Sequence, residues 1–213
     1  MDLRVVIKRS VKWLFLTMAL PLFGLFLSIR VLSGSDKCFT SFSQLLSLIP
    51  GKTGVYLRAA FYRLACPDTS DEISIGFLTI LSHRNTSIGR GVYIGPQCNI
   101  GMCRIGENTL VGSGVHVLSG SRQHSFEDTS TPIQEQAGLF EKITIGADCW
   151  LGNCSVVMAD LADHSIVAAG SVLTKKSNTP GTILAGNPAS PKRDRFQHDN
   201  HTPEDTDHEK SSA

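Results

Sequence analysis

The chain has 213 residues, of which 41% are hydrophobic and 18% charged, so it can bury a core and is not a wholly disordered polymer. Its 20 Lys or Arg and 19 Asp or Glu give a net charge of +1, which argues against a nucleic-acid binder held by bulk charge. Aromatic residues are scarce at 7% and there are 19 glycines. This composition favours a repetitive β architecture.

Near the N-terminus, 17 residues without charge (13–29) lie between Lys12 and Arg30. As a helix they would span roughly 25 Å, less than the ~30 Å hydrocarbon core of a bilayer. We expect Pro21 and Gly24 to interrupt this helix. The segment fits a signal peptide, a full span, or a kinked helix or hairpin in the cytoplasmic leaflet. We predict membrane contact through it, and we favour a re-entrant or interfacial anchor.

Composition divides the chain into four parts. They are a hydrophobic membrane anchor at 1–33, an amphipathic helical cap at 34–72, a repeat domain at 73–193, and a disordered polar tail at 194–213. The cap has apolar residues at helical spacing on both sides of Pro50 and Gly51, which predicts two short amphipathic helices that cap the next domain. The tail is polar and lacks apolar anchors from residue 197 to residue 213.

Six cysteines are spread through the chain without a C-x-x-C pair, which argues against a zinc ribbon or a thioredoxin-like motif. They are Cys38, Cys66, Cys98, Cys103, Cys149 and Cys154. We expect reduced thiols that mostly serve packing, because a chain of this length does not need a disulfide framework.

A six-residue repeat dominates the rest of the chain. Aliphatic residues followed by glycine recur at Ile88, Ile94 and Ile100, and the step of six returns from Ile145 to Leu151. Such a short fixed period predicts a solenoid, in which the aliphatic side chain points inward and the glycine permits a turn conformation. The segment 159–167 is shorter than two full hexads, so we expect one irregular coil.

This pattern resembles the left-handed parallel β-helix acyltransferases, known for their hexapeptide repeats. The block from 143 to 193 contains W-L-G, A-G-S-V-L-T-K and A-G-N-P-A. This order is similar to the signature of the maltose, galactoside and xenobiotic acetyltransferases, and more loosely to acyltransferases of bacterial exopolysaccharide synthesis. The resemblance implies a mainly β fold, a left-handed parallel β-helix preceded by helices, and a homotrimer.

A polar loop, 119–142, interrupts the repeat and contains His124. A loop of this length inside a solenoid is unusual without a function. A histidine can accept a proton at neutral pH, since its ordinary pKa is about 6.5. The resemblance implies that His124 is the general base for attack on acetyl-CoA. We expect Glu127, Asp128 or a backbone carbonyl to orient its ring.

The resemblance also implies the site of the acyl donor. Trp150 would lie near the thioester and Asn153 near the pantetheine arm, with Ala169 and Ser171 at the pantetheine amides. The adenine-nucleotide end would meet Thr174, Lys175 and Lys176. Asn187 would stand in the loop over the adenine, and Arg193 at the end of the β-helix near the phosphates. Ser190 replaces a nearer arginine of the relatives, which weakens the phosphate clamp.

The acceptor side follows the family pattern less closely. Galactoside-type relatives place an asparagine where this chain has Gly95, so Gln97 or Asn99 would take its place. Further candidates for acceptor contacts stand in the loop near its histidine. They are Arg122, Gln123 and Asp128.

The residues leave several other functions on the same fold open. A γ-type carbonic anhydrase would need His83, His116 and His124 to converge on zinc, which their spacing disfavours. A non-catalytic scaffold or an N-acetyltransferase on an amino sugar are further alternatives, and a serine acetyltransferase is disfavoured by the missing helical domain. We expect transfer from acetyl-CoA to a hydroxyl of a sugar or lipid-linked saccharide in a polysaccharide precursor. We expect no metal, no tightly bound cofactor and no nucleic acid, at the cytoplasmic face of a bacterial inner membrane.

Overall fold

The computed structural model describes residues 3–197, and the predicted tail lies outside the described residues from position 198 onward. The expectation of disorder was wrong for its first residues, because Asp194 belongs to the last strand, Arg195 forms a 3.0 Å ion pair with Asp148, and the ring of Phe196 packs against His164. Three helices precede the strands: α1 (Leu3–Ser33), α2 (Cys38–Ser47) and α3 (Gly51–Ala65). A short 3₁₀ turn, Ile133–Glu135, lies within the polar loop.

The first helix, α1, is continuous, and the expectation that Pro21 and Gly24 interrupt it was wrong. Ala19 and Phe26 are fully buried on either side of this pair, so tertiary packing holds the helix where its local propensity is weak. The stretch Val5–Ser33 has a mean hydropathy of 2.0, which makes it long and apolar enough to cross a membrane by length and composition.

The helices α2 and α3 cover the first turn of the repeat domain. Phe26 of α1 packs edge-on against Phe42 and Phe61, with ring centroids 5.6 and 5.9 Å apart, and so joins all three helices. The hydroxyl of Ser43 in α2 accepts a hydrogen bond of 2.8 Å from the backbone N–H of Leu81. The helical unit is therefore fixed to the first coil by both apolar packing and hydrogen bonds.

Three parallel sheets form the three faces of a β-helix, and each coil gives one short strand to each face. The first sheet contains β1 (Ser74–Ile75), β4 (Tyr93–Ile94), β7 (Leu110–Val111), β10 (Trp150–Leu151), β12 (Ile166–Val167), β14 (Thr182–Gly186) and β15 (Ala189–Asp194). The second contains β2 (Ile80–Leu81), β5 (Asn99–Ile100), β8 (His116–Val117), β11 (Val156–Val157) and β13 (Val172–Leu173). The third contains β3 (Ser87–Ile88), β6 (Cys103–Ile105) and β9 (Ile143–Ile145).

The aliphatic residues of the repeat stack in inward columns, as predicted. Ile94, Val111 and Leu151 are partners in register on the first sheet, and each is fully buried. The shortened coil is irregular, because Leu161 continues the third sheet only by single bridges to Ile145 and Ser177. Burial of these columns is the main source of stability in a solenoid, where each coil contacts only its neighbours.

The glycines that follow these aliphatic residues are required by close packing of successive coils. A Cβ on Gly106 would lie 2.5 Å from the backbone nitrogen of Ala147, and a Cβ on Gly95 would lie 2.8 Å from the backbone of Gly112. Neither glycine has a positive φ, so the expectation of a special turn conformation was wrong for them. Positive φ occurs instead at the corners, for example at Gln97.

The coil ends in an antiparallel hairpin made of β14 and β15, which the hexapeptide pattern did not predict. Asn187 and Pro188 form the turn between the two strands. Arg193 therefore lies on the return strand at the end of the β-helix, paired with Ile183.

Candidate functional site

The loop 119–142 leaves the β-helix between β8 and β9, at the corner where the second sheet meets the third. Its two arms pair through backbone hydrogen bonds. The N–H of Glu141 donates to the carbonyl of Ser119 at 2.9 Å, and the N–H of Leu139 donates to the carbonyl of Arg122 at 2.7 Å. The loop is thus a fixed hairpin at its base.

Side chains fasten the base of this loop to the body of the β-helix. Lys142 donates hydrogen bonds to Asn85 and Ser87, at 3.1 and 2.8 Å. The ring of Phe140 packs against the imidazole of His83, with centroids 5.5 Å apart. Burial lowers the pKa of His83 below its ordinary value, so this contact favours the neutral ring. No pattern in the sequence predicted these contacts.

The tip of the loop is held by its own polar groups. The Asp128 carboxylate accepts hydrogen bonds from the hydroxyls of Ser130 and Thr131, at 2.6 and 2.7 Å, and these bonds lower its pKa to about 2. Glu127 accepts a bond from the N–H of Phe126. Both carboxylates are therefore engaged away from the histidine, and the expectation that one of them orients it was wrong within this protomer.

His124 is part of the first of the two paired arms, and its side chain is exposed. The N–H of the next residue, Ser125, donates to the carbonyl of Ala137 at 2.7 Å. Gly138 packs so closely that a Cβ there would overlap the carbonyl of Gln123. Within residues 3–197, no hydrogen bond engages the imidazole of His124. A fixed backbone and an accessible ring leave this imidazole available to a substrate.

The other loop candidates are occupied within the loop. The guanidinium of Arg122 forms a 2.9 Å ion pair with Glu141, and the amide of Gln123 donates to the carbonyl of Gly120 at 3.2 Å. These contacts orient the arm that carries the histidine.

Three of the remaining candidates lie together at the corner between the first and second sheets. All three are exposed there, with Asn153 and Ala169 on successive coils and Gln97 two coils before Asn153. The carbonyl of Asn153 accepts a bond of 2.9 Å from the N–H of Gly170, and its side-chain oxygen accepts one of 3.0 Å from the N–H of Ser113. This corner therefore forms an ordered ridge beside the second sheet.

Ser171 ties this corner to the terminal hairpin. Its hydroxyl is buried and accepts a hydrogen bond of 3.0 Å from the N–H of Gly186, next to the exposed Asn187. The hydroxyl is thus already engaged within the protein.

The opposite corner, between the second and third sheets, carries the cationic candidates. Lys175 is exposed, Thr174 is half-buried, and Lys176 pairs with Asp160 at 3.1 Å. The second sheet lies between the two corners, with Asn99 and His116 adjacent on its outer face. The second sheet therefore lies between two corners. One carries Gln97, Asn153 and Ala169, and the other carries Lys175 and the base of the loop 119–142.

Trp150 is not part of this arrangement, because it lies on the outer face of the first sheet. It is 48% exposed there, in register with Leu110, which pairs in turn with Tyr93. Within one protomer, the sheet of Trp150 and the corner that carries the loop are different parts of the prism.

No family model matches the chain. Among curated proteins, the bifunctional protein GlmU of Levilactobacillus brevis is 28% identical over 104 residues, covering 48% of this chain. The match covers only 19% of that protein, so the chain corresponds to about a fifth of its length.

Solved structures show a closer likeness in fold. A maltose O-acetyltransferase from Clostridium difficile is 17% identical with a TM-score of 0.64, covering 75% of this chain and 87% of that one. A galactoside acetyltransferase in complex with coenzyme A is 20% identical with a TM-score of 0.63, covering 87% and 98%. A hexapeptide-repeat acetyltransferase from Vibrio cholerae is 20% identical with a TM-score of 0.58, covering 75% and 92%.

The fold is that of the hexapeptide-repeat acetyltransferases. The suspected resemblance is therefore confirmed for the fold, and the three parallel faces are consistent with a left-handed β-helix. Among the described residues of this fold, no three His, Cys, Asp or Glu side chains are grouped so that they could hold a metal ion. His83 packs instead on the loop, His116 lies on the second sheet, and His124 lies on the hairpin arm.

Proposed function

We propose that this protein transfers an acetyl group from acetyl-CoA to a hydroxyl of a sugar or polysaccharide precursor. The observation that carries the proposal is the placement of His124. Its exposed imidazole stands on a hydrogen-bonded hairpin that leaves a β-helix of the acetyltransferase type. An accessible histidine on a fixed backbone is the geometry that general-base catalysis requires.

The reaction is a direct transfer. The imidazole of His124 accepts the proton of the acceptor hydroxyl while the oxygen attacks the thioester carbonyl carbon. A C–O bond forms, the C–S bond breaks, and the CoA thiolate leaves and takes up the proton from the imidazolium. Backbone N–H groups stabilise the charge on the carbonyl oxygen. The products are an acetyl ester and free CoA thiol.

The donor would lie along the second sheet, between its two corners. The pantetheine amides would bond with the corner at Asn153 and Ala169, and the phosphates would meet Lys175 at the other corner. The engaged hydroxyl of Ser171 makes it a support for the hairpin that carries Asn187. The coenzyme A complex of the structurally similar galactoside acetyltransferase supports this class of donor.

A second copy of the chain would complete the site. Because Trp150 faces outward from the first sheet, it would reach the histidine loop of a neighbouring protomer when that sheet packs beside the neighbour's second sheet. We infer a homotrimer with three equivalent sites, each built from two chains. The exposed apolar side chains beside Trp150 support this arrangement.

The acceptor would be lipid-linked and located at a membrane surface. The apolar helix α1 supports membrane association, and a cytoplasmic location follows from the use of acetyl-CoA. We therefore place the protein at the cytoplasmic face of a bacterial inner membrane.

The test is release of CoA thiol from acetyl-CoA by purified protein with a panel of sugar, amino-sugar and lipid-linked acceptors. The wild type is compared with His124→Ala and with His164→Ala, a matched control that changes an exposed histidine at the corner between the third and first sheets, away from the second sheet. We expect acceptor-dependent release that falls by about 100-fold or more in His124→Ala and by little in His164→Ala.

Equal release in wild type and His124→Ala would exclude His124 as the base. Release only with amino sugars would replace O-acetylation by N-acetylation. If the protein neither binds CoA nor releases thiol with any acceptor, the scaffold alternative is favoured.

A further inference from the structure

One side of α1 is already covered by the protein. Lys12 pairs with Asp71 and Glu72, both at 3.2 Å, in the segment that enters the first coil. Phe15 stacks on Tyr56 of α3 at a centroid distance of 5.3 Å, and Phe26 is fully buried among the aromatic residues of α2 and α3. From residue 12 to residue 26, α1 is thus fastened along its length to elements that cap the β-helix.

The other side of α1 is apolar and uncovered. From 13 to 29 it contains no charged residue. Its outward side chains are about half exposed or more. They include Trp13, Leu14, Met18, Leu20, Leu25 and Leu32. Leu45 and Leu48, at the end of α2, are also more than half exposed. An apolar surface of this extent on a described protomer requires a partner.

The helical unit is strongly basic, in contrast to the chain as a whole. Residues 3–65 contain nine Lys or Arg and a single acidic residue, Asp36. The net charge of +1 therefore hides an asymmetry, because the helical unit has an excess of basic residues, of which Arg58 is buried and others, such as Arg9 and Arg63, are exposed. This combination complements the anionic headgroups of a bilayer leaflet.

A cleft between α1 and α3 combines both features. It has a volume of about 300 Å³. Trp13, Leu16 and Tyr56 form its apolar wall. Arg9 and Arg63 line the same cleft and are exposed, and its remaining charged groups, Lys12 and Asp71, are paired with each other. Guanidinium groups beside an apolar wall match the chemistry of a lipid phosphate attached to its hydrocarbon chains.

We propose that α1 lies in the plane of an anionic membrane surface, half-embedded through its outward side, and that the cleft between α1 and α3 holds the phosphate of a lipid headgroup. This deepens the membrane placement given under the proposed function, and it does not depend on acetyl transfer. Its occupant is the anionic phospholipid of the leaflet.

The packing of α1 excludes a transmembrane orientation. If α1 crossed the bilayer, α3 and the start of the first coil would have to enter the hydrocarbon beside it. That would bring polar groups of the first coil beside α2, such as the Ser82 carbonyl that accepts a hydrogen bond from Thr40, into the apolar interior, where they are disfavoured. Arg63, Asp71 and Glu72 lie near Lys12, at the edge of the uncharged segment, and in the plane of the surface they stay in the headgroup region or in water while the basic residues face anionic lipids.

Depth measurements on the full-length protein test the orientation. In a Trp150→Phe background, native Trp13 reports on the start of the uncharged segment. Leu20→Trp and Leu32→Trp, each combined with Trp13→Phe and Trp150→Phe, report on its middle and end. Quenching by phospholipids brominated at different depths should give one shallow depth for all three positions. A markedly greater depth at position 20 would demonstrate a span and overturn the proposal.

Vesicle binding tests the lipid. We expect binding to phosphatidylcholine vesicles that contain phosphatidylglycerol, and much weaker binding to phosphatidylcholine alone. Arg9→Gln should weaken binding to anionic vesicles about fivefold. The matched control Arg104→Gln, on the outer face of the third sheet, should not. Equal binding to both vesicles, or equal loss in both variants, would refute the phosphate-binding cleft.

His124→Ala should bind vesicles like the wild type, which separates membrane docking from catalysis. If the vesicles do not bind the protein while acetyl transfer to a soluble sugar persists, the docking proposal fails and the proposed function stands.

Discussion

Arg58 is a cation held in the interior by carbonyl oxygens. Its side chain is fully buried, and it donates hydrogen bonds to the carbonyls of Leu46 and Ile49, at 2.9 and 2.8 Å, and of Ile75 at 2.9 Å. Leu46 and Ile49 lie at the end of α2, where the helix dipole favours positive charge. Burial lowers the pKa of Arg58, but a guanidinium stays charged at neutral pH. This one side chain connects α3, α2 and the first coil.

We predict that Arg58→Ala destabilises the protein by about 3 kcal/mol or more, because three charge-assisted hydrogen bonds are lost and the carbonyls of Leu46, Ile49 and Ile75 lose their buried side-chain donor. Urea unfolding followed by circular dichroism would measure the change. Arg104→Ala removes an exposed arginine from the third sheet and should change the free energy of unfolding by less than about 0.5 kcal/mol. Equal effects of the two substitutions would contradict the role given to Arg58.

The sequence could not reveal this role for Arg58. Spacing places the arginine among apolar residues of a helix, and such a position normally allows the head group to reach water. The Arg58 side chain is buried only because α2 and the first coil pack against α3. In the same way, the period of six predicted the inward column of Ile94 and Val111, but not that Gly106 is required by the backbone of the next coil.

At the scale of elements, the loop 119–142 behaves as a scaffold for His124. Gly138 stands opposite the histidine arm, and a Cβ there would overlap the carbonyl of Gln123 and lie 3.0 Å from the nitrogen of His124. Both contacts are to backbone, which cannot rotate away. Any side chain at Gly138 must therefore push the two arms apart.

We predict that Gly138→Ala lowers CoA thiol release at least tenfold with little change in the midpoint of thermal unfolding, because the loop lies outside the stacked coils and a small displacement of a catalytic group is costly. Glu135→Ala, an exposed position in the 3₁₀ turn of the same loop, is the control and should retain activity. Unchanged activity in Gly138→Ala would show that the arm spacing is unimportant.

The elements differ in how far the sequence determined them. The coils were predictable because every coil buries an aliphatic side chain at the same inward positions, which gives the sequence a period of six. The hairpin β14–β15 was not, because its pairing of Ile183 with Arg193 follows no period. The continuity of α1 through Pro21 also depends on packing with other elements, which a local pattern does not contain. For the site, the loop and its histidine could be predicted, but the partners of Asp128 could not.

For the whole molecule, the outer face of the first sheet is the surface that we expect to contact a second copy of the chain. Tyr93, Leu110 and Trp150 are neighbours in register, and each is between 43% and 48% exposed. Outward positions of a strand that faces water are normally polar, as Arg104 and Thr144 are on the third sheet. This apolar ladder lies on the β-helix and not on α1, so the proposed contact between copies and the proposed membrane contact use different surfaces.

We propose that the wild type is a trimer in detergent, and we predict that Leu110→Lys is a monomer, since it places a charge at the middle of the ladder. Light scattering coupled to size-exclusion chromatography would measure the mass. Thr144→Lys adds the same charge to the third sheet and should remain trimeric. Because Trp150 would serve the site of a neighbour, Leu110→Lys should also lose CoA thiol release while its circular dichroism stays native. A wild type that is already monomeric and active would show that one protomer contains the whole site.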